Sequence, residues 1–398
     1  MEPEFYKCMM SPVSVSACLC VVFCMVSCAR EPELTGSVSS NSNQALLNAL
    51  KDHTSAVVIG SSTGPQVVLA PDFSARVLGA SIKGASDENL MWVNPSILDG
   101  TLWTTKPYSW NAGGLRTWLA PEDLFFVDEK KNPESWFVPG QLDPVTYSQF
   151  DRTELKATFE ADIDLPSNIG KIYNVTLRRT IVLLTTPPEE IGALQPGVEY
   201  MGIEKTHSVT NRSEEVIGKD LPAICLWSLL QVNPAGTMLI PLRENAKPET
   251  AYREYFNPLG DRLVVQGNII SVKIDGKYRS KIGVRPEAAG RGIAFLRDNG
   301  DGTGILFAKL FYIDPNGTYV DKPWGKESSY GDAIEMYNDG GAVGGFCELE
   351  AHGPAQILRK GDTQTHTVLL HIFRGKIADL KDIGSKLYGV DFSGAYYF

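Results

Sequence analysis

Three ionisable side chains share one face of FCELEAHGPA, residues 346–355. On a strand, period-2 alternation turns Glu348, Glu350 and His352 to one side and Leu349 and Ala351 to the other, before Gly353-Pro354 ends the run. Two carboxylates beside an imidazole offer acceptors for hydroxyl groups and a group able to take a proton, the parts of general acid–base work. The same row also suits a solvated outer face. Alternation alone leaves both readings open.

Other stretches bring matching chemistry. Five of the seven tryptophans, Trp92, Trp103, Trp110, Trp118 and Trp136, fall between residues 92 and 136. Aromatic rings in loop sequence present flat apolar faces with a hydrogen-bonding edge, and the C–H faces of sugars stack on such rings. Within this segment NAGGLRTWLAPE, residues 111–122, reads as a turn: Gly113-Gly114 bends the chain, Pro121 fixes the exit, and Arg116, Trp118 and Glu122 are presented. In AICLWSLLQV, residues 223–232, Cys225, Trp227, Leu229 and Gln231 share a strand face. A buried Gln231 needs a partner, either a ligand hydroxyl or a neighbouring backbone group. Lys281 stands inside the apolar run KIGV, and His207 in EKTHSVTNRS is either a proton donor or a satisfied strand histidine.

Metal-binding patterns are missing at this level. His366 and His371 are five apart on a strand and therefore face opposite ways. Cys225 and Cys347 fall short of a structural zinc pattern, and both read as buried small hydrophobes. The turns around Asp298, Asp301 and Asp314 read as ordinary hairpin loops, with weak calcium binding as the alternative. No metal or cofactor is expected.

The elements that must position these groups are strands. QVVLA, ARVLGASI, YNVTLRRTIVLL, RLVVQGNIISVKI, GILFAKLFYI and THTVLLHIF are rich in Val, Ile, Leu, Thr and aromatics, with Gly, Pro, Asp and Asn between them. Thirty-seven glycines and 24 prolines suit many strands and turns, and the helical candidates Gln44–Lys51 and Ile377–Ile383 are short and peripheral. No linker divides the chain after Ala56, so one all-β antiparallel domain is expected over 56–398, with an aromatic-rich loop region at 92–150. A net charge of −10 argues against a nucleic-acid partner, whose affinity rests on neutralising phosphates.

The N-terminus reads as an export signal. Lys7 precedes an apolar, small-residue stretch from Ser11 to Met25, followed by Val26-Ser27-Cys28. This ending resembles the lipobox of bacterial lipoproteins. The resemblance implies removal of residues 1–27, lipid on Cys28, a flexible tether over 28–55 and a place at the bacterial cell envelope. Contact with the membrane would then be through the lipid anchor only.

Taken in order, GGLRTWLAPE, HSVTNRSEEV, LWSLLQVNPAGTMLIPL and ELEAHGPAQILRKGDTQTHTVLLHI resemble the galactose mutarotase-like superfamily, in particular its exported bacterial members, over about residues 56–375. The resemblance implies a large antiparallel supersandwich whose concave face binds carbohydrate. In mutarotases a carboxylate takes the anomeric hydroxyl proton while a histidine protonates the ring oxygen. The family's Leu-Glu pair falls on Leu349-Glu350, which implies Glu350 as the base. Where its acid histidine is expected the chain reads Leu226-Trp227-Ser228, and His207 lies on the wrong side of the turn at Asn211.

The expected function is therefore binding of a mono- or oligosaccharide around Glu350, with Arg116, Trp118, Glu122, Trp227, Gln231, Lys281, Glu348 and His352 lining the cleft. A sugar-acting enzyme, mutarotase or epimerase in type, comes second. A structural or protein-interaction module with a vestigial pocket comes third.

Overall fold

The computed structural model describes residues 41–104, 109–128, 135–323 and 331–398. The β-branched and aromatic runs form two sheets. The nine-stranded sheet places side by side Val57–Gly60, Gln66–Ala70, Arg76–Ser81, Leu115–Ala120, Cys225–Val232, Cys347–His352, Ile334–Asn338, Ser280–Val284 and Tyr252–Phe256. The ten-stranded sheet runs Leu263–Gln266, Ile269–Ile274, Gly236–Pro241, Gly292–Asp298, Thr303–Phe311, Thr363–Lys376, Glu199–Asn211, Ile172–Leu184, Lys156–Pro166 and Ser148–Arg152. Every pairing between these strands is antiparallel. The protein is an all-β, two-sheet antiparallel supersandwich, as expected.

One core joins the sheets. Val67, Leu119, Leu226 and Leu230 from the first pack in a single buried cluster with Phe159, Ile181, Phe295 and Phe307 from the second. Leu380, Ile383 and Leu387 of the C-terminal helix, Ile377–Tyr388, cluster with Leu239, Ala294, Leu306 and Ala308 of the ten-stranded sheet. Ordered structure begins earlier than a tether over 28–55 allows. A helix at Asn43–Leu50, capped by Ser42, buries Leu46 and Leu50 against Val68 and Leu78. Its two leucines lie four apart and so share one helix face, and the helix falls on the candidate read at Gln44–Lys51. The expected signal and Cys28 lie outside the described residues. Among the described residues no helix is long and apolar enough to cross a membrane.

The region expected to be loops at 92–150 is only partly so. GGLRTWLAPE is not a turn that presents side chains; Leu115–Ala120 is a fully buried inner strand of the nine-stranded sheet. The bend lies just before it, where Gly113 and Gly114 have φ of 104° and 71°. A Cβ at Gly114 would run into the carbonyl oxygen of Val77, so the left-handed turn and the close approach both require glycine.

Candidate functional site

Alternation decides which side chains meet. Ser228 takes a hydrogen bond from Lys205 of the ten-stranded sheet (3.0 Å), and Thr117 Oγ1 lies 2.9 Å from His207 Nδ1 of the same sheet. These positions therefore face the inside of the sandwich. Their neighbours point the other way: Arg116 and Trp118, then Trp227 and Leu229, then Glu348 and Glu350. Register sets the three strands edge to edge, with Trp118 opposite Trp227 and Glu350 opposite Leu229. The strand Cys347–His352 is buried at every position, which rules out a wet outer face for FCELEAHGPA.

These residues line a cavity of about 260 Å³ together with Glu122, Lys281, Trp110 and Trp136. Seven of the nine residues expected at the cleft, Glu350, Arg116, Trp118, Glu122, Trp227, Lys281 and Glu348, are thus brought to one place. The aromatic wall is continuous. Trp110 packs edge-on against Trp118 and Trp136 at 5.6 and 5.5 Å, and Trp118 packs against Trp227 at 5.4 Å. Trp118 is held by its indole N–H, which donates to Asp143 at 2.8 Å, and Asp143 is in turn ion-paired with Arg76. A larger groove of about 1680 Å³ is lined by Leu184, Thr186, Pro188, Glu190 and Glu204 together with residues 241–246 and 310–313, and none of the expected site residues line it.

The polar groups of the cavity are pre-set by pairs. Arg116 donates to Glu348 at 2.7 Å and lies 4.2 Å from the Trp118 ring centre. Trp227 donates its indole N–H to Glu350 at 2.9 Å, and Lys281 reaches the same carboxylate oxygen at 3.4 Å. Trp136 donates to Glu122 at 2.8 Å. Lys281 also pairs with Glu335 at 2.8 Å, directly across from Glu350 on the neighbouring strand.

Burial and crowding then separate the proton affinities. Burial pushes the Glu350 carboxyl well above the usual range; Lys281 opposes this, while Glu335 and Glu348 add to it. Glu335 goes the other way: although burial raises it, Lys281 and His352 hold it well below the usual range. Burial works against the Lys281 ammonium, but Glu335, Glu350, Glu122 and Asp321 outweigh it and keep that group charged. Asp321 is raised well above the carboxylate range by burial and by Glu335.

Two expected lining residues lie elsewhere. Gln231 is buried away from the cavity; its amide N–H donates to Asn111 Oδ1 at 3.0 Å, and its Oε1 is buried without a partner. His352 shares the face of Glu350 but sits behind the cavity, stacked on Trp227 at 5.2 Å with Nε2 3.1 Å from Glu335. It holds Glu335 from behind. His207 is inside the sandwich, between Thr117 and His366, away from the cavity. Cys225 and Cys347 are both free and buried.

Glu335, Asp321, Tyr255 and Asp332 were not anticipated. The Tyr255 hydroxyl lies 2.6 Å from Asp332 and 2.9 Å from Glu335 and so links the two acids, and Arg253 closes on Asp332. The signal was present for Glu335, an acid at the centre of the apolar strand AIEMYN, which needs a buried partner. Asp321 gave none, because it stands in irregular chain.

A family model described as "Family of unknown function (DUF6786)" matches residues 41–395. No curated protein matches the chain. Among solved structures, a galactose mutarotase-like protein from Lactobacillus casei ATCC 334 is similar, with 13% identity and a TM-score of 0.48 over 80% of this chain and 100% of the other. A provisionally named aldose 1-epimerase from Escherichia coli K12 gives 10% identity and a TM-score of 0.47 over 80% and 99%. A galactose mutarotase related enzyme from Lactobacillus acidophilus gives 11% and 0.40 over 79% and 96%. These are distant, low-identity matches in fold, and they carry no activity to this chain.

Proposed function

The chain belongs to the family of unknown function DUF6786, and since that membership assigns no activity, we propose from the cavity itself that the protein binds carbohydrate, one sugar ring at a time. The observation that supports this is the joint lining: tryptophan rings interleaved with carboxylates, an ammonium and a guanidinium, with Arg116 over Trp118 and Lys281 over Trp227. Rings supply stacking for C–H faces, while the paired charges orient hydroxyl groups. At about 260 Å³ the space lies just below the usual range of ligand pockets, about 300–1,000 Å³, which suits nothing larger than a monosaccharide or the end residue of a glycan. Glu350 is the central acceptor, held by Trp227 and Lys281 before any ligand arrives.

Binding is proposed ahead of catalysis because His352 stands behind Glu350 on the same strand, not across a bound ring from it. The test pairs calorimetric titration of mono- and oligosaccharides with polarimetry of freshly dissolved aldose anomers. Trp136→Ala, at a half-buried ring, is expected to weaken binding by about 1–3 kcal/mol, and Glu350→Gln by at least as much. Wild-type anomer exchange lost in Glu350→Gln would replace this reading with the enzyme. No binding by the wild type would end both.

The signal-like residues 1–27 and the cysteine after them support an envelope location, with lipid on Cys28. Cys28→Ala is expected to release the protein from the membrane fraction of expressing cells. Unchanged membrane association would refute the anchor.

A further inference from the structure

Behind the sugar cavity, Asp321, Glu335 and His352 each offer one ligand atom, and these atoms all lie within 4.8 Å of one another. All three side chains are buried, at 1%, 0% and 0% exposure. Glu335 and His352 are fixed by adjacent strands, and Asp321 is fixed by the Glu122 amide, which donates to its Oδ1 at 2.7 Å.

A second observation favours a cation at this place. Asp321 Oδ2 is buried with no hydrogen-bond partner, and so is His352 Nδ1. A buried carboxyl oxygen left without a hydrogen-bond partner costs roughly 1–3 kcal/mol. The neighbouring cations are already engaged. Arg253 is committed to Asp332. Lys281 serves Glu335 and Glu350 and leaves Asp321 Oδ2 unmet.

We propose that Asp321, Glu335 and His352 bind one divalent transition-metal ion, with zinc the best match. One imidazole and two carboxylates suit zinc, with a fourth position left for water. Calcium wants six to eight oxygen ligands, which this set does not supply. The ion competes with the Lys281 ammonium for Glu335; when it binds, Lys281 is left to Glu350 alone. The metal site thereby touches the sugar cavity through one lysine, yet its occupancy does not depend on the sugar reading.

The test is made on the full chain after treatment with a chelator, using zinc calorimetry, metal analysis and visible spectroscopy of the cobalt form. One equivalent is expected. Asp321→Asn and His352→Phe should each lower affinity at least about tenfold, and Lys281→Met should raise it. Cys8, Cys18, Cys20, Cys24 and Cys28 offer rival thiolates, and these would betray themselves by intense near-ultraviolet cobalt bands. No zinc bound by the wild type, thiolate bands alone, or full affinity in Asp321→Asn and His352→Phe would each overturn the site. If those two variants do not fold, Lys281→Met decides: affinity unchanged or reduced refutes it.

Discussion

Arg116→Met is expected to lower the free energy of unfolding by about 3–5 kcal/mol, the scale of breaking one partner out of a buried ion pair. Arg116 is 1% exposed and Glu348 is 6% exposed, with the guanidinium 2.7 Å from the carboxylate. Among the described residues Glu348 has no other ion-pair partner, so the single substitution strands a buried carboxylate. The guanidinium also lies against the rings of Trp118 and Trp110, and a methionine fills much of that space without the charge. The double substitution Arg116→Met with Glu348→Leu removes both charges and should recover most of the loss. Urea unfolding of the wild type, both single variants and the double variant gives the coupling directly. A coupling above about 2 kcal/mol is expected. Additive losses, or a single-variant cost below about 1 kcal/mol, would show that the pair does not hold the cavity wall.

What could be read in the sequence follows from which forces are local. Period-2 alternation turned Glu348, Glu350 and His352 to one face, and the structure has them so, because strand geometry leaves the side chain no other choice. The sheets were legible for the same reason. The depth of each residue along that face was not. His352 and Glu350 are two residues apart, yet one lies behind Trp227 and the other lines the cavity, a difference made by the strand Cys225–Val232 from more than a hundred residues away. Gln231 was misplaced likewise, since Asn111 reaches it only once the segment before Gly113 folds over the sheet. NAGGLRTWLAPE looked like a turn because of its glycines and proline. The turn is real but ends at Gly114, and the alternation of Leu115, Thr117 and Leu119 with Arg116 and Trp118 was the overlooked sign of a strand. Asp321 joins the acidic cluster only through tertiary packing, so no local pattern could announce it.

Acid should unfold the protein through histidines that the sandwich keeps neutral. His366 is buried between the sheets, with Nδ1 3.0 Å from His207 Nε2 and its ring edge-on to Phe311. Burial, helped by Lys205 and Lys309, lowers its pKa to about 3. An unfolded chain protonates the same ring near pH 6.5. Above that pH both states hold it neutral and stability is independent of this group. Between pH 6.5 and about 3 the unfolded state takes the proton and the folded state does not, so stability falls as pH falls, by about 1.4 kcal/mol per unit. By pH 4.5 this one ring accounts for about 2–3 kcal/mol, and the full span approaches 4–5 kcal/mol. His207 is lowered well below its ordinary value, chiefly by burial with Lys205 beside it, and His371 to about 4 by burial alone, so both act in the same direction. His366→Gln keeps a polar partner for His207 and removes the titration. Whatever its stability at pH 7, the variant should lose about 2–3 kcal/mol less than the wild type between pH 7 and pH 4.5 in urea unfolding. Parallel profiles for the two proteins would mean that His366 takes up its proton in the folded state as readily as in the unfolded one. That would require water to reach the space between the sheets.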